Sequence, residues 1–259
     1  MKGGWKAGGI GAVLAVMAAL PALAGDVLLR ADNWCPYNCE PGMRPGYLVE
    51  IARAALEPAG HKVDYALMPW TETLAAASAG TVTGAVGATA DEAADLIYPT
   101  HPLGLSRPTL VIRKSRDVSG FKVTDLESLK GLRFGSIKDY FYSDEVNAFI
   151  DANKDSPNLV QVSGDNVTED LVNMLIEGKI DALVEDSNVV DYLLELKGYR
   201  NLVNYHALGQ ETPVSIGFSP KDPNSRTYVA LIDSRLADLR KSGELATILA
   251  RYGMKDWQR

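Results

Sequence analysis

The chain has 259 residues, 46% of them hydrophobic and 23% charged, with 23 glycines, 13 prolines and 2 cysteines. Those proportions suit a globular protein and exclude a collagen-like repeat, a low-complexity chain, a disulfide-dense miniprotein and a polytopic membrane protein. The net charge of −7 comes without a basic patch or stripe, which argues against nucleic acid as a partner.

Residues 1–24 read as an address. Lys2 and Lys6 precede an apolar run from Ile10 to Leu23, and Ala22-Leu23-Ala24 closes it before Gly25. This is the charged, apolar and small-x-small order of a secretory signal peptide. The strongly apolar part is short for a membrane span, and no cysteine follows the cleavage point to carry a lipid. Gly8, Gly9 and Gly11 fall inside this leader, so they form no dinucleotide loop. Export places Cys35 and Cys39 in an oxidising compartment. They flank the turn-prone Pro36-Tyr37-Asn38, and a small disulfide loop is expected, with free thiols or half a metal site as alternatives. His61, His101 and His206 are scattered, so neither a metal nor a cofactor is expected.

From Asp26 onward strands alternate with helices. Val27 to Ala31 reads as a strand. Tyr47 to Ala59 reads as a helix, with Leu48, Ile51, Ala52, Ala55 and Leu56 on one face. His61 to Leu67 alternates as a strand, and Thr71 to Ala79 is helical with Thr71 as its cap. Gly84 to Gly87 is a short buried run, and Leu110 to Ile112 is another strand. A second unit begins near Ser115. It holds a helical turn at Asp125–Leu129, strands at Leu132–Gly135, Leu159–Val162 and Ile180–Val184, and helices at Asp144–Asn153 (capped by Ser143), Glu169–Glu177 and Ser187–Leu196. A strand at Val214–Phe218 leads out to helices at Ser225–Lys241 and Glu244–Tyr252.

This alternation predicts an α/β fold with mostly parallel sheets. Two βαβα sets with a helical tail imply two lobes joined by more than one crossing. The expected division is 25–112 for the first part of lobe one, 113–213 for lobe two and 214–259 for the return to lobe one. Ligands in such folds sit beyond the carboxyl ends of strands or between domains.

Several segments, in this order and spacing, resemble the bacterial extracellular solute-binding proteins of family 3, over nearly all of the chain after the leader. Asp32-Asn33-Trp34-Cys35-Pro36-Tyr37, Gly46-Tyr47-Leu48-Val49-Glu50-Ile51-Ala52 and Trp70-Thr71-Glu72-Thr73-Leu74 match its first lobe. Lys130-Gly131-Leu132-Arg133-Phe134-Gly135 matches the opening of lobe two, and Glu177-Gly178-Lys179-Ile180-Asp181-Ala182 its x-G-[KR]-x-D-A segment. Leu239 to Glu244 followed by Tyr252-Gly253 matches its C-terminal helices. The resemblance implies a type II periplasmic-binding-protein fold with a hinge between lobes. It also implies a monomeric periplasmic capture protein that hands a small polar solute, an amino acid or an amino-acid-like cationic compound, to the permease of an ABC transporter.

It further implies site residues. Trp34 and Trp70 match ligand-facing aromatics, with core packing as the alternative. Asp186 matches the carboxylate that holds a ligand ammonium, the alternative being a cap for the helix that follows. Asp181 and Trp257 are expected to be structural. The family's Thr-x-x-Arg, whose arginine grips a carboxylate, is here Thr89-Ala90-Asp91-Glu92, with Glu92 where arginine would stand. Arg107, or backbone amides near Gly87 and Thr89, are the candidate replacements. Tyr140 and Tyr142 replace a Gly/Thr-rich ligand loop and are expected to face the cleft. An aromatic pocket with Asp186 and no arginine favours a cationic or planar solute.

Two other classes stay open. One is an exported dehydratase-like enzyme on the same fold, for which Asp186, Glu92 and Lys138 are conceivable acid–base groups. The sequence has neither a Gly-x-Ser-x-Gly elbow nor a Ser-His-Asp arrangement, and the expectation is a non-enzyme. The other is a sensory module that binds ligand and docks to a membrane receptor.

Overall fold

The structure is a computed structural model that describes Met1 and residues 25–116, 123–138, 140, 142–164 and 166–258. The expected leader, Met1 aside, lies outside the described residues. Among the described residues no helix is long and apolar enough to cross a membrane.

The first unit starts with β1 (Asp26–Ala31), which buries Val27, Leu29 and Ala31 at alternate positions. Helix α1 (Tyr47–Leu56) turns its apolar stripe onto the same core and tightens into a 3-10 turn over Glu57–Ala59. It begins at Gly46, where φ is 101° and a Cβ would sit 2.3 Å from the Tyr37 carbonyl oxygen, so only glycine fits. Strand β2 (Lys62–Leu67) and helix α2 (Trp70–Ala79) follow. The expected cap at Thr71 does not form. The helix starts one residue earlier behind Pro69, whose ring fixes the entry and which offers no capping side chain. Strand β3 (Gly84–Ala88) is buried along its whole length.

Two short strands come next, β4 (Gly104–Ser106) and β5 (Pro108–Arg113). The helical turn expected at Asp125–Leu129 falls within a 3-10 segment over Val123–Gly131. Strand β6 (Phe134–Ile137) precedes helix α3 (Asp144–Ala152), whose cap Ser143 accepts from the Val146 amide at 3.3 Å. Strand β7 (Leu159–Val162), helix α4 (Val167–Glu177) and strand β8 (Ala182–Asp186) continue, followed by helix α5 (Ser187–Lys197). Strand β9 (Val203–Ala207) and strand β10 (Thr212–Phe218) lead to helices α6 (Ser225–Ser242) and α7 (Glu244–Ala250).

The strands form two sheets in the orders β2-β1-β3-β10-β4 and β7-β6-β8-β5-β9. Both are mixed. Strand β1 runs parallel to β2 and β3, and β6 parallel to β7 and β8, as βαβ units require. The antiparallel pairings belong to the crossing strands, with β10 against β3 and β4, and β5 against β8 and β9. The chain therefore changes sheets at Arg107, five residues before the expected boundary, because β5 pairs wholly within the second sheet. It returns between Ala207 and Thr212. Each sheet has its own core. Leu29, Ile51, Phe218 and Ile232 pack together in the first. In the second, β5 sends Leu110 and Ile112 to one face and Val111 to the other, each into a separate apolar cluster.

Candidate functional site

The carboxyl ends of β1 and β3 from one sheet, and of β6 and β8 from the other, open on a single cavity of about 120 Å³. At about 30 Å³ per water, that space holds on the order of four waters, room for a small solute. Trp34, Trp70, Thr89, Tyr140, Tyr142 and Asp186 all line it, so six of the seven ligand-binding positions expected from the sequence meet there.

Trp34 leaves β1 in the loop that Cys35 and Cys39 close as a disulfide. Its ring stacks on Tyr37, with centroids 4.3 Å apart and planes 18° off parallel. Its indole N–H donates across the cleft to Glu185 Oε1 at 3.0 Å. Gly87, at the end of β3, holds φ at 91°, and a Cβ there would stand 2.7 Å from Asn38 Oδ1 and 3.6 Å from the Trp34 ring. The strand end and the tryptophan loop touch backbone to side chain at that point.

On the same side, Trp70 opens α2 and donates to Glu92 Oε1 at 2.7 Å. Desolvation raises the Glu92 pKa above the usual carboxylate range, partly offset by that indole bond. Asp32, just after β1, is pushed up to about 7, first by desolvation and further by the Glu92 charge. From the other sheet, Tyr140 and Tyr142 lie with ring centroids 5.2 Å apart. The Tyr142 hydroxyl accepts from the Ile137 amide at 2.8 Å, which leaves its proton to donate.

Strand β8 ends in two acids with different surroundings. Asp186, 3% exposed, caps α5 by accepting from the Asn188 and Val189 amides at 2.7 and 3.2 Å. Its other oxygen accepts from the Arg107 amide and lies 3.1 Å from the Tyr37 hydroxyl. The helix-cap alternative is thus realised, although Asp186 also borders the cavity. Glu185 is the more available acid. Its Oε1 accepts from the Trp34 indole and the Asp186 amide, and its Oε2 is met by the Thr168 hydroxyl at 3.2 Å. Burial lifts its pKa to about 7 against those donors, with Asp186 adding like charge.

Arg107 does not reach the cavity. Its guanidinium is about half exposed and pairs with Glu211, beside a separate hollow bordered by Tyr47, Asn188 and Trp257. Proline follows it at once, and the peptide runs with its amide toward Asp186, which turns the side chain outward. Asp181 is structural, held by Arg133 through bonds of 2.7 and 3.0 Å. Trp257 packs on Tyr47 and under Arg240. Lys138 borders an adjoining hollow that shares Asp32, Trp70 and Tyr140 with the cavity.

Sequence reading missed Asp32, Asp91 and Glu185 as cavity walls, and Tyr37 as a bridge between sheets. Glu185 carried a signal, being an acid at the end of an otherwise apolar strand. Tyr37 carried none, because its partners Leu105, Asp186 and Asn188 are 68 to 151 positions away.

Solved structures share this architecture. A histidine kinase sensor domain with similarity to periplasmic binding proteins matches at a TM-score of 0.68 and 20% identity, over 90% of this chain and 96% of that one. An ancestral arginine-binding protein bound to arginine matches at 0.68 and 18%, over 89% and 99%. An ABC uptake transporter substrate-binding protein from Streptococcus pneumoniae with bound histidine matches at 0.67 and 21%, over 88% and 92%. Among curated proteins none matches the sequence. The sequence profile of the bacterial extracellular solute-binding proteins, family 3, matches residues 30–255, and the chain belongs to that family.

Proposed function

We propose that this chain is an exported, periplasmic capture protein that binds a small polar solute between its two lobes and delivers it to the permease of an ABC transporter. One observation carries the reading. A cavity of about 120 Å³ is walled by both sheets, and among the described residues two short crossings join those sheets. A ligand touching both walls favours a closed arrangement through contacts the open one lacks. Trp34, Trp70, Thr89, Tyr140, Tyr142 and Asp186 serve as binding residues, with Glu185 and Asp32 added to the set. The site acts without catalysis, as a monomer.

The test is a thermal-shift screen on refolded protein with amino acids, polyamines, betaines, small peptides and organic acids. Ligand at 100 times its dissociation constant adds about 2.7 kcal/mol, roughly 5 °C or more for a chain this size. Selective stabilisation supports capture. No stabilisation by any compound rejects it. A second reading, a sensor that presents the closed form to a receptor, has the sensor-domain neighbour in its favour. Pull-down with a permease rather than a receptor kinase separates the two.

A further inference from the structure

We propose that the solute is an organic amine or guanidine that carries no carboxylate group. This rests on the solute-capture reading above and narrows its ligand class. Among the described residues five carboxyl side chains border the cavity: Asp32, Asp91, Glu92, Glu185 and Asp186. Among the described residues no lysine, arginine or histidine borders it. A carboxylate entering that space would find no cation, and would meet like charge on both sides of the cleft.

Two backbone donors at the Thr89–Glu92 turn are already spent within the turn. The Glu92 amide already donates to Thr89 Oγ1 at 3.3 Å, and the Ala93 amide to the Thr89 carbonyl at 3.1 Å. Of the nearby cations, one is engaged and the other lines the adjoining hollow rather than the cavity. Arg107 pairs with Glu211, and Lys138 lines the adjoining hollow together with the acids Asp32 and Glu40.

The acids are also arranged for an organic cation rather than a metal ion. Among the described residues no three acidic, histidine or cysteine side chains converge as ligands. Instead, two carboxylates are each held by an indole N–H, Glu185 by Trp34 at 3.0 Å and Glu92 by Trp70 at 2.7 Å. Each pair offers a fixed anionic oxygen beside an aromatic ring, which suits an ammonium or guanidinium group. Glu185 belongs to the second sheet and Glu92 to the first-sheet side, so a cation between them draws the lobes together.

The test uses matched pairs that differ only in the α-carboxylate: agmatine and L-arginine, cadaverine and L-lysine, histamine and L-histidine. Each is titrated calorimetrically into the refolded full chain at pH 7.5. In at least one pair the amine should bind about 100-fold or more tightly than its amino acid, the scale of an uncompensated like-charge contact. Glu92→Gln and Glu185→Gln should each weaken that amine about 10-fold or more while the protein still unfolds cooperatively. An amino acid that binds as tightly as its amine overturns the inference and leaves solute capture standing. Loss of that binding in Lys138→Ala would then locate its carboxylate. No binding by any amine, alongside a hit elsewhere in the wider panel, also overturns it. Only silence across the whole panel rejects both.

Discussion

Glu185 and Asp186 are adjacent acids, yet geometry gives them different work. Asp186 accepts backbone amides on both oxygens and fixes the start of α5 against the Arg107 crossing. Glu185 stands in the cavity wall with its pKa raised from 4.5 to about 7, chiefly by burial. A carboxyl with a raised folded pKa stabilises the fold below its unfolded value, and loses that contribution as pH climbs through the folded one. Ligand-free protein should therefore lose roughly 3 kcal/mol between pH 4.5 and pH 8 through Glu185 alone. Asp32, also raised to about 7, acts in the same direction. Asp181 and Asp233 are lowered and act only in more acidic solution. Urea unfolding at pH 5, 6, 7 and 8 should show the decline, and Glu185→Gln, which keeps an acceptor for Trp34, should flatten it. An unchanged slope in that variant would remove Glu185 from the account.

At the scale of elements, the loop from Asp32 to Gly46 matters more than its lack of regular structure suggests. It carries Trp34, stacks Tyr37 beneath it, and is closed by the Cys35–Cys39 disulfide. For so short a loop the chain-entropy argument gives about 2 kcal/mol. The double variant Cys35→Ser/Cys39→Ser should lose about that much in denaturant unfolding, and a loss near zero would mean packing alone holds the loop. Gly87 tests the same loop from the strand side. Gly87→Ala combines a left-handed backbone with a methyl 2.7 Å from Asn38 Oδ1, so it should cost about 1–3 kcal/mol. A double-mutant cycle with Asn38→Ala should show positive coupling, since removing Oδ1 relieves the clash. Additive losses would refute the contact. Helix α1 was legible because seven of its ten residues follow an apolar stripe, and β1 because its burial alternates. Strands β4 and β9 were not. The first spans three residues, and Asn204, Tyr205 and His206 in the second lack alternation because they are only partly buried.

For the whole molecule, the two-unit layout was readable from the order of strands and helices, but the point of crossing was not. The run Leu110-Val111-Ile112 is buried on both faces, which any interior strand shows, so nothing local says which sheet owns it. The acidity of the cavity was hidden in the same way, because Asp32, Glu92 and Glu185 are remote in sequence and meet only when the sheets face each other. Charge at this scale has a kinetic consequence. A chain of net charge −7, with five carboxyl groups among the described residues around a low-dielectric cleft, focuses a negative field into the opening. A cationic solute should enter faster than diffusion without steering allows, and the advantage should fade as salt screens it, the Debye length shrinking to about 10 Å at 0.1 M and about 3 Å at 1 M. Trp34 and Trp70 border the cavity, so intrinsic fluorescence in a stopped-flow instrument can follow entry. For the amine that binds most tightly, the association rate should fall about 10-fold between 10 mM and 0.5 M sodium chloride. The dissociation rate should change far less, because the indole-held carboxylates grip the bound cation within the cavity. A salt-independent association rate would mean that the carboxyl groups are neutralised before the solute arrives, and that the cleft recognises its ligand by shape rather than by charge.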